Sequence, residues 1–581
     1  MSTTNVLEIL FLVVLLCIST PILGSYLAKI YGGGKAPGDR FFLPIENFLY
    51  RICGVDPEGE QRWNVYVLSL LAFTAVGILL TYAVLRLQQY LPFNPNHFTN
   101  VSPGLTFNTA ISFGTNTNWQ SYVGESTMSM LSQMFGLVWH QFISAAVGMA
   151  LAAGFIRSLV RRRQRTIGNF WVDTIRSTVR VIIPITFVFA VVFMSQGVIQ
   201  NLNANKTVST VATQAAATGT KATKTQTIPG GPVASMVPIE ALGDNGGGYF
   251  NANGAHPYEA PNAIVSIFTV WLLLMIPFAF AWTYGKMIGS IRQGMVVLTA
   301  MVVLFLVGLV VAVGYETSGN PKVAIAGVSQ KATATQAGGN LEGKDLRYGA
   351  AEAATDANSI TATSTGMTNS AHESYLPLSG GAVLGQIMLG EVDPGGTGTG
   401  LYGMLILVVL TCFIAGLMVG RTPEYLGKKI QSHDMKLAAI YILVLPLSVL
   451  IFSSIAIVST TASASLWSSG PHGLTELVYA YTSAAHNNGS AFGGISANTQ
   501  WYNTTLGLTM LIGRYALIIP AMAIAGSLVR KRTFVPTAGT LRTDTPLFTG
   551  MLIGVTVILV SLTYFPVMAL GPIVEQLQGH F

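Results

Sequence analysis

The sequence TSAAHNNGSAFGGISAN at 482–498 joins a short apolar segment to a loop rich in asparagine and glycine. Three other stretches have the same character: SFGTNTNWQSYVGE at 112–125, LGDNGGGYFNAN at 242–253 and LGEVDPGGTGTG at 389–400. Each stretch is too short or too polar to cross a membrane, and each precedes a long apolar segment that ends in basic residues. Four copies of one pattern predict an internally repeated fold.

The composition places the chain in a membrane. Of its 581 residues, 51% are hydrophobic and 9% are charged, whereas roughly a quarter of the residues of a soluble domain are charged. Several apolar runs reach about twenty residues, enough to cross a hydrocarbon core about 30 Å thick. These features exclude a soluble enzyme and predict an all-α polytopic membrane protein. Ten spans are predicted, near 5–24, 65–86, 132–156, 178–199, 262–283, 295–315, 401–420, 437–459, 505–529 and 547–570.

The four stretches divide the predicted spans into repeats of helix, re-entrant half-helix, loop and helix. Within a single membrane domain covering 1–581, the predicted repeats are 65–156, 178–283, 295–420 and 437–529, and the spans 5–24 and 547–570 are extra. Irregular backbone at membrane depth is tolerated only where it is buried in protein or lines a watery cavity. We therefore expect the four loops to surround one pore with pseudo-fourfold symmetry.

Basic residues set the expected orientation. Most of the 31 Lys and Arg residues lie in alternate loops, including RSLVRRRQR at 157–165. Such loops are cytoplasmic as a rule, so both termini are expected to be extracytoplasmic. Because the basic residues are explained by topology, nucleic acid is not an expected partner, whereas anionic membrane lipid is.

Two extracytoplasmic stretches differ in composition from the spans. Residues 201–230 are rich in Thr, Ala and Lys, and residues 317–375 are rich in Ala, Thr, Gly and Ser. Such compositions are typical of flexible insertions, and we expect weak order in both. A folded binding domain is the alternative, but neither stretch has the apolar periodicity that a core needs.

The loops have a composition suited to holding a cation. Gly and Asn adopt backbone conformations that turn carbonyl groups inward, and carbonyl oxygens can replace the hydration shell of an ion. The alternative is that these are ordinary turns, where Gly and Asn are also common. Four loops at corresponding places favour the ion pore, although physics alone does not distinguish potassium from sodium here.

Five motifs resemble one family. They are NNGSAFGG at 487–494, GRTPEYLGKKI at 420–430, NGGGYFNAN at 245–253, TNTNWQSY at 115–122 and IIPAMAIAGSL at 518–528. In this order they are similar to the KdpA family, the potassium-binding, pore-like subunits of bacterial Kdp-type potassium-transporting ATPases. That family is related to the Trk, Ktr and HKT potassium transporters.

The resemblance implies a complex in the bacterial plasma (inner) membrane. Its other members would be a P-type ATPase subunit (KdpB), a single-span accessory subunit (KdpC) and a small peptide (KdpF). ATP and magnesium would be used by the ATPase subunit, because this chain has neither a GxxxxGK[ST] phosphate loop nor a DKTG phosphorylation motif. The chain is therefore expected to have no cofactor and no enzymatic activity by itself, with potassium as the only metal, at the filter.

The resemblance also implies the site. The family's filter positions fall on Thr115, Asn116, Thr117, Asn118, Asn245, Gly246, Gly247, Gly395, Gly396, Asn487, Asn488 and Gly489. Most are expected to act through backbone carbonyls. Gln120 matches a filter-region glutamine, and we expect it to hold the geometry of the first loop or, alternatively, to be an exposed amide on a turn.

Four charged residues complete the expected site. Arg514 lies inside the ninth span, where an unpaired charge is costly, so we expect it to face the cavity or to be bound by helix carbonyls. The resemblance implies that its positive charge lies below the filter and acts as a barrier against leak. The resemblance implies a gate or partner contact for Arg421, which is otherwise a topology anchor. Glu391 and Glu476 stand beside the third and fourth loops and are expected to brace the filter, with attraction of cations to its mouth as the alternative.

Two functions remain in competition, and a structural scaffold is a distant third. The first is uptake of potassium by an ATP-driven pump, with this chain as the binding subunit. The second is a stand-alone potassium channel or ion-coupled transporter of the same architecture. The GRTPEYLGKKI and NNGSAFGG matches favour the pump subunit.

Overall fold

The computed structural model describes residues 3–214, 223–535 and 540–579. Helices dominate this part of the chain. They are α1 (Thr3–Gly32), α2 (Asp39–Cys53), α3 (Trp63–Leu87), α4 (Pro103–Gly114), α5 (Gly124–Thr127), α6 (Trp139–Val160), α7 (Phe170–Ser177), α8 (Ile183–Ser195), α9 (Val233–Leu242), α10 (Ala263–Met287), α11 (Ile291–Ser318), α12 (Pro321–Ile325), α13 (Gly349–Ala362), α14 (Pro377–Met388), α15 (Thr399–Met418), α16 (Ser432–Val458), α17 (Thr460–Ser463), α18 (Gly470–Ala485), α19 (Gln500–Leu528), α20 (Pro546–Met568) and α21 (Val574–Gln578).

Strands are short. They form three antiparallel pairs: β1 (Gln61–Arg62) with β2 (Thr166–Gly168), β3 (Lys206–Gln214) with β4 (Thr223–Ile228), and β5 (Glu424–Tyr425) with β6 (Lys428–Lys429). Single π-helical turns at Ser132–Val138 and Thr178–Ile182 lead into α6 and α8.

The all-α polytopic fold is confirmed. Within the described ranges, ten helical segments are long and apolar enough to cross a membrane, as the sequence predicts. They differ in how much protein surrounds them: the segment Ser132–Val160 is mostly buried, whereas Asn5–Gly32 and Pro546–Gln578 are mostly exposed at the periphery. The exposed spans carry large aliphatic side chains suited to lipid, and the buried ones form the centre.

Four units of the chain share one arrangement, in which a short half-helix lies between two long helices. The half-helices are α4, α9, α13 and α18, and each packs against the long helix before it, namely α3, α8, α11 and α16. In the third unit the helix after the loop is broken into α14 and α15. Outside these units, α1 packs along α10, and α20 packs against α11 and α15.

Small residues allow the central helices to approach closely. In α6, a side chain on Gly148 would lie 2.3 Å from the carbonyl oxygen of Thr397. In α19, a side chain on Gly513 would lie 1.7 Å from the carbonyl oxygen of Ala485, the last residue of α18. Small residues at helix interfaces are a general feature of membrane proteins, where packing rather than hydrophobicity drives association.

The two stretches predicted to be flexible insertions contain regular secondary structure. In 201–230, the described residues include a hairpin of β3 and β4, in which two Thr-rich strands pair Lys206 with Ile228; residues 215–222 lie outside the described residues. In 317–375, all 14 residues of α13 are buried. An alanine-rich segment is a strong helix former, and its small side chains pack inside the bundle, which low-complexity composition conceals.

Candidate functional site

Four loops meet where the half-helices end. They are residues 115–120, 243–248, 363–368 and 486–491, which follow α4, α9, α13 and α18. Glycines bring their backbones into contact: a side chain on Gly246 would lie 1.9 Å from the amide nitrogen of Gly366, and one on Gly489 would lie 1.8 Å from the carbonyl oxygen of Thr117. A side chain on Gly366 would lie 2.6 Å from the carbonyl carbon of Gly489. We call this arrangement the loop ring.

Hydrogen bonds join each loop of the ring to the next. Asn116 Nδ2 donates to the Asp244 carbonyl oxygen (2.7 Å), the Gly366 amide donates to the Asn245 carbonyl oxygen (3.0 Å), Asn488 Nδ2 donates to the Thr363 carbonyl oxygen (2.7 Å), and Asn487 Nδ2 donates to Thr117 Oγ1 (2.9 Å). The side-chain amides of Asn116 and Asn488 thus satisfy buried backbone oxygens of neighbouring loops, and that of Asn487 binds a hydroxyl group.

Three loops share a backbone conformation that needs Asn, Asp or Gly. Left-handed residues alternate with ordinary ones, at Asn116 and Asn118, at Asp244 and Gly246, and at Asn487 and Gly489. Most side chains disfavour the left-handed region, whereas glycine, asparagine and aspartate tolerate it. Among its described residues, the third loop lacks this alternation.

A cavity of about 400 Å³ opens onto the loop ring. It receives residues from all four loops, including Asn118, Gln120, Gly246, Gly366 and Gly489. The side-chain amide of Asn118 is buried, and neither its Oδ1 nor its Nδ2 has a hydrogen-bond partner within the described residues. This open, polar mouth could receive a hydrated ion.

Gln120 links the first loop to the second. Its Nε2 donates to the carbonyl oxygen of Gly248 (2.9 Å) and to the hydroxyl of Tyr122 (3.2 Å). These contacts join the two loops, and the role of Gln120 in holding the filter stays a prediction. Gly247, by contrast, has its carbonyl oxygen engaged by Gln141 Nε2 at 2.6 Å, so that oxygen already has a protein donor.

The assignment of Gly395 and Gly396 to the ring is corrected by the structure. The third loop of the ring is 363–368, and Gly395 lies behind it, where its amide donates to the carbonyl oxygen of Ala362 at the end of α13 (2.9 Å). A side chain on Gly396 would contact Ser364. The glycine-rich stretch 389–400 connects α14 to α15. Its glycines therefore lie where the helix of the third unit is interrupted, next to the third loop.

Glu391 and Glu476 occupy different positions. Glu391 is buried in the connection between α14 and α15 and accepts a hydrogen bond from Ser364 in the third loop. Glu476 lies on α18 and accepts from the amide of Ser468 (3.4 Å), while its carboxylate lies next to Gly494. Glu391 therefore contacts the loop ring, and Glu476 contacts the segment that follows it.

Arg514 does not belong to the loop ring but lies near it, connected through Ser144. Its side chain is buried in α19, and Nη2 lies 3.5 Å from the carbonyl oxygen of Ser144 in α6. The hydroxyl of Ser144 in turn lies 2.5 Å from Asn116 Oδ1. Arg421 is far less enclosed: it follows the end of α15 and is exposed, in the segment that leads to β5.

Sequence reasoning missed Thr363, Ser364, Thr365 and Gly366. The stretch TSTG at 363–366 follows α13 as TNTN at 115–118 follows α4, and this likeness is the signal that could have located the third loop. It was concealed because TSTG lies inside a long Ala- and Thr-rich stretch.

The fold and the ring together define a class. The chain is a multi-pass helical membrane protein in which four re-entrant loops surround one cavity, an arrangement typical of proteins that move ions. A sequence profile of the family described as "Potassium-transporting ATPase A subunit" (KdpA) matches residues 9–577. The chain belongs to this family.

Similar proteins agree with this assignment. Proteins named "Potassium-transporting ATPase potassium-binding subunit" are 51% identical in Mycobacterium tuberculosis and 49% identical in Herpetosiphon aurantiacus. Each alignment covers 578 residues and 99% of this chain, with 100% of the first relative and 99% of the second. A third relative, in Rhodospirillum centenum, is 48% identical over 577 residues. The name describes a binding subunit of an ATPase rather than its catalytic subunit.

Proposed function

We propose that this chain binds extracytoplasmic potassium in the loop ring and passes it to a P-type ATPase subunit for ATP-driven, high-affinity uptake. One observation carries the proposal: loops from four separate parts of the chain are hydrogen-bonded into a single ring at the base of a polar cavity. The names of the relatives supply the ion and the energy source.

The chemistry of the ring suits a monovalent cation. Backbone carbonyl oxygens can replace the water around a desolvated ion, and four loops can supply several such oxygens at one level. The half-helices α4, α9, α13 and α18 all end at the ring. Their carboxyl-terminal ends carry partial negative charge, which adds a favourable field for a cation.

The complex we propose contains KdpB, KdpC and KdpF beside this chain. KdpB would hydrolyse ATP with magnesium, since the chain carries no motif for nucleotide binding or phosphorylation. The basic loops would face the cytoplasm of a bacterial inner membrane, with both termini outside. The cavity above the ring would then open to the extracytoplasmic side.

Arg514 and Arg421 receive separate roles. The positive charge of Arg514, beyond the ring, would discourage cations from leaking straight into the cytoplasm. Arg421 stands at an exposed loop with other basic residues and would contact the partner subunit. Glu391 would brace the third loop through Ser364.

ATP hydrolysis by the purified complex tests the proposal. Material would be isolated in detergent through a tag on this chain, and hydrolysis would be measured with potassium or sodium as the only varied cation. We expect stimulation by low potassium and not by sodium. A preparation that binds potassium but shows no associated hydrolysis would instead support a stand-alone channel or an ion-coupled transporter.

A further inference from the structure

A second cluster of charged side chains lies outside the loop ring. It contains Glu373, in a short turn after the third loop, and His472 and Glu476, in the first turns of α18. One potential ligand atom from each residue lies within 4.8 Å of the other two. The cluster therefore brings together the third and fourth units of the chain.

The histidine is held with one ring nitrogen facing the cluster. His472 Nδ1 lies 2.8 Å from Glu575 Oε1, and Nε2 lies 4.0 Å from Glu476 Oε1. A hydrogen bond from Nδ1 to a carboxylate fixes the tautomer in which Nε2 has a free lone pair. Histidines that bind metals commonly have such a carboxylate partner.

Glu476 supplies an independent indication of a missing ligand. Its side chain is fully buried, and Oε1, the atom that faces His472, has no hydrogen-bond partner within the described part of the chain. A buried carboxylate oxygen without a partner is costly, and such an oxygen is normally satisfied by a donor or a cation. The Oε2 atom already accepts from Ser468.

We propose that Glu373, His472 and Glu476 form a binding site for a divalent transition-metal ion such as Zn²⁺, with Glu575 orienting the histidine. One imidazole and two carboxylates are a ligand set that Zn²⁺ accepts, and a water would complete a tetrahedral site. A separate cavity of about 380 Å³, lined by Glu373, His472 and Glu575, gives an ion access to the cluster.

The position of the site indicates what the metal would do. The Glu373 amide donates to the carbonyl oxygen of Phe492 (2.7 Å), and the carboxylates of Glu373 and Glu476 lie against Gly493 and Gly494. These residues follow the fourth loop directly. A bound ion would therefore fasten the segments after the third and fourth loops to each other, beside the mouth of the cavity and away from the potassium route.

Zn²⁺ binding to the intact detergent-purified complex tests this inference. Titration calorimetry with ZnCl₂ should give one saturable site per chain. His472→Gln and Glu476→Gln should abolish that site, and Glu575→Gln should weaken it by roughly 10- to 100-fold, as is usual when the partner of a metal-bound histidine is removed. His97→Asn removes an exposed histidine with a left-handed backbone that asparagine tolerates and should leave binding unchanged.

A second measurement protects the test against misfolded variants. Co²⁺ should bind to the wild-type complex with visible absorption bands typical of four-coordinate cobalt, and half-buried Glu373→Gln should lose these bands while the complex still elutes normally. Wild-type protein without saturable Zn²⁺ binding, or variants that bind as wild type does, would overturn the proposal. The cluster would then be a hydrogen-bonded network of histidine and carboxylates.

Discussion

Asn488 in the fourth loop binds the end of α13, the half-helix that precedes the third loop. Its Nδ2 donates to the carbonyl oxygens of Ile360 (2.8 Å) and Thr363 (2.7 Å), at the carboxyl-terminal turn of α13. The last carbonyl groups of a helix have no partner within the helix. A side chain from a distant part of the chain therefore completes the third half-helix and sets its distance from the fourth.

Replacing Asn488 by alanine should damage the ring. The Thr363 carbonyl would lose this donor, at a cost of roughly 1–3 kcal/mol. The Ile360 carbonyl would keep only its longer contact with Thr363 Oγ1 (3.4 Å), and the third and fourth loops would separate. We expect the potassium concentration for half-maximal ATP hydrolysis to rise about tenfold or more. Asn64→Ala, which truncates an exposed asparagine in α3, is the control. An unchanged potassium dependence of Asn488→Ala would contradict this role.

Gly366→Ala tests the place of the third loop. The added methyl group would lie 2.6 Å from the carbonyl carbon of Gly489 and 2.9 Å from the amide nitrogen of Ser490. Both are backbone atoms, so the loops must move apart. We expect loss of potassium-stimulated hydrolysis in a complex that still assembles. The same change at Gly554, which has open space around it, should have no effect. Normal stimulation in Gly366→Ala would exclude this residue from the ring.

Arg514→Met tests the barrier against leak. As a general scale, two unit charges roughly 10 Å apart interact by about 1.7 kcal/mol at an effective dielectric constant of about 20. Removal of the Arg514 charge should therefore raise the passive flux of Rb⁺ into liposomes, without ATP, by about tenfold. Arg514→Lys retains the charge and should stay tight. If Arg514→Met is equally tight, the arginine serves only to bind the carbonyl group of Ser144.

The ring could be predicted from the sequence wherever Asn and Gly mark left-handed backbone. The first, second and fourth loops have this mark, at Asn116, Gly246 and Gly489. The third loop is built from Thr363, Ser364 and Thr365 without the alternation, so composition gave no reason to separate it from the surrounding Ala- and Thr-rich stretch. Gly395 resembles the glycine of the third loop in the sequence pattern, because an interruption between two helices also favours glycine.

Sequence patterns do not predict which side chains of distant segments come into contact. The pairs of Asn488 with Ile360 and of Glu391 with Ser364 depend on how whole units pack. The sequence does identify Arg514 as a candidate site residue, because a charged side chain inside a membrane span is energetically unfavourable. Its neighbour Ser144, and the link from Ser144 to Asn116, follow only from the approach of α6 to the loops.

Lys428 is predicted to stabilise the ends of two long helices, α6 and α19. Its buried Nζ donates to the carbonyl oxygens of Ser158 (2.7 Å), Arg161 (2.6 Å) and Leu528 (3.0 Å), at the ends of α6 and α19. Lys428→Met would leave these groups without their donor and should cost roughly 1–3 kcal/mol. We expect a lower melting temperature of the complex, whereas the exposed neighbour variant Lys429→Met should melt close to wild type.

The pH dependence of melting gives this prediction a sharper form. Burial, together with the nearby charges of Arg162 and Lys531, lowers the pKa of Lys428 from 10.5 to about 8. Between these values the unfolded chain holds a proton that the folded chain has released, so the contribution of this group to stability rises with pH. The difference in melting temperature between wild type and Lys428→Met should therefore widen from pH 8 to pH 10. A constant difference would show that the amine titrates alike in both states.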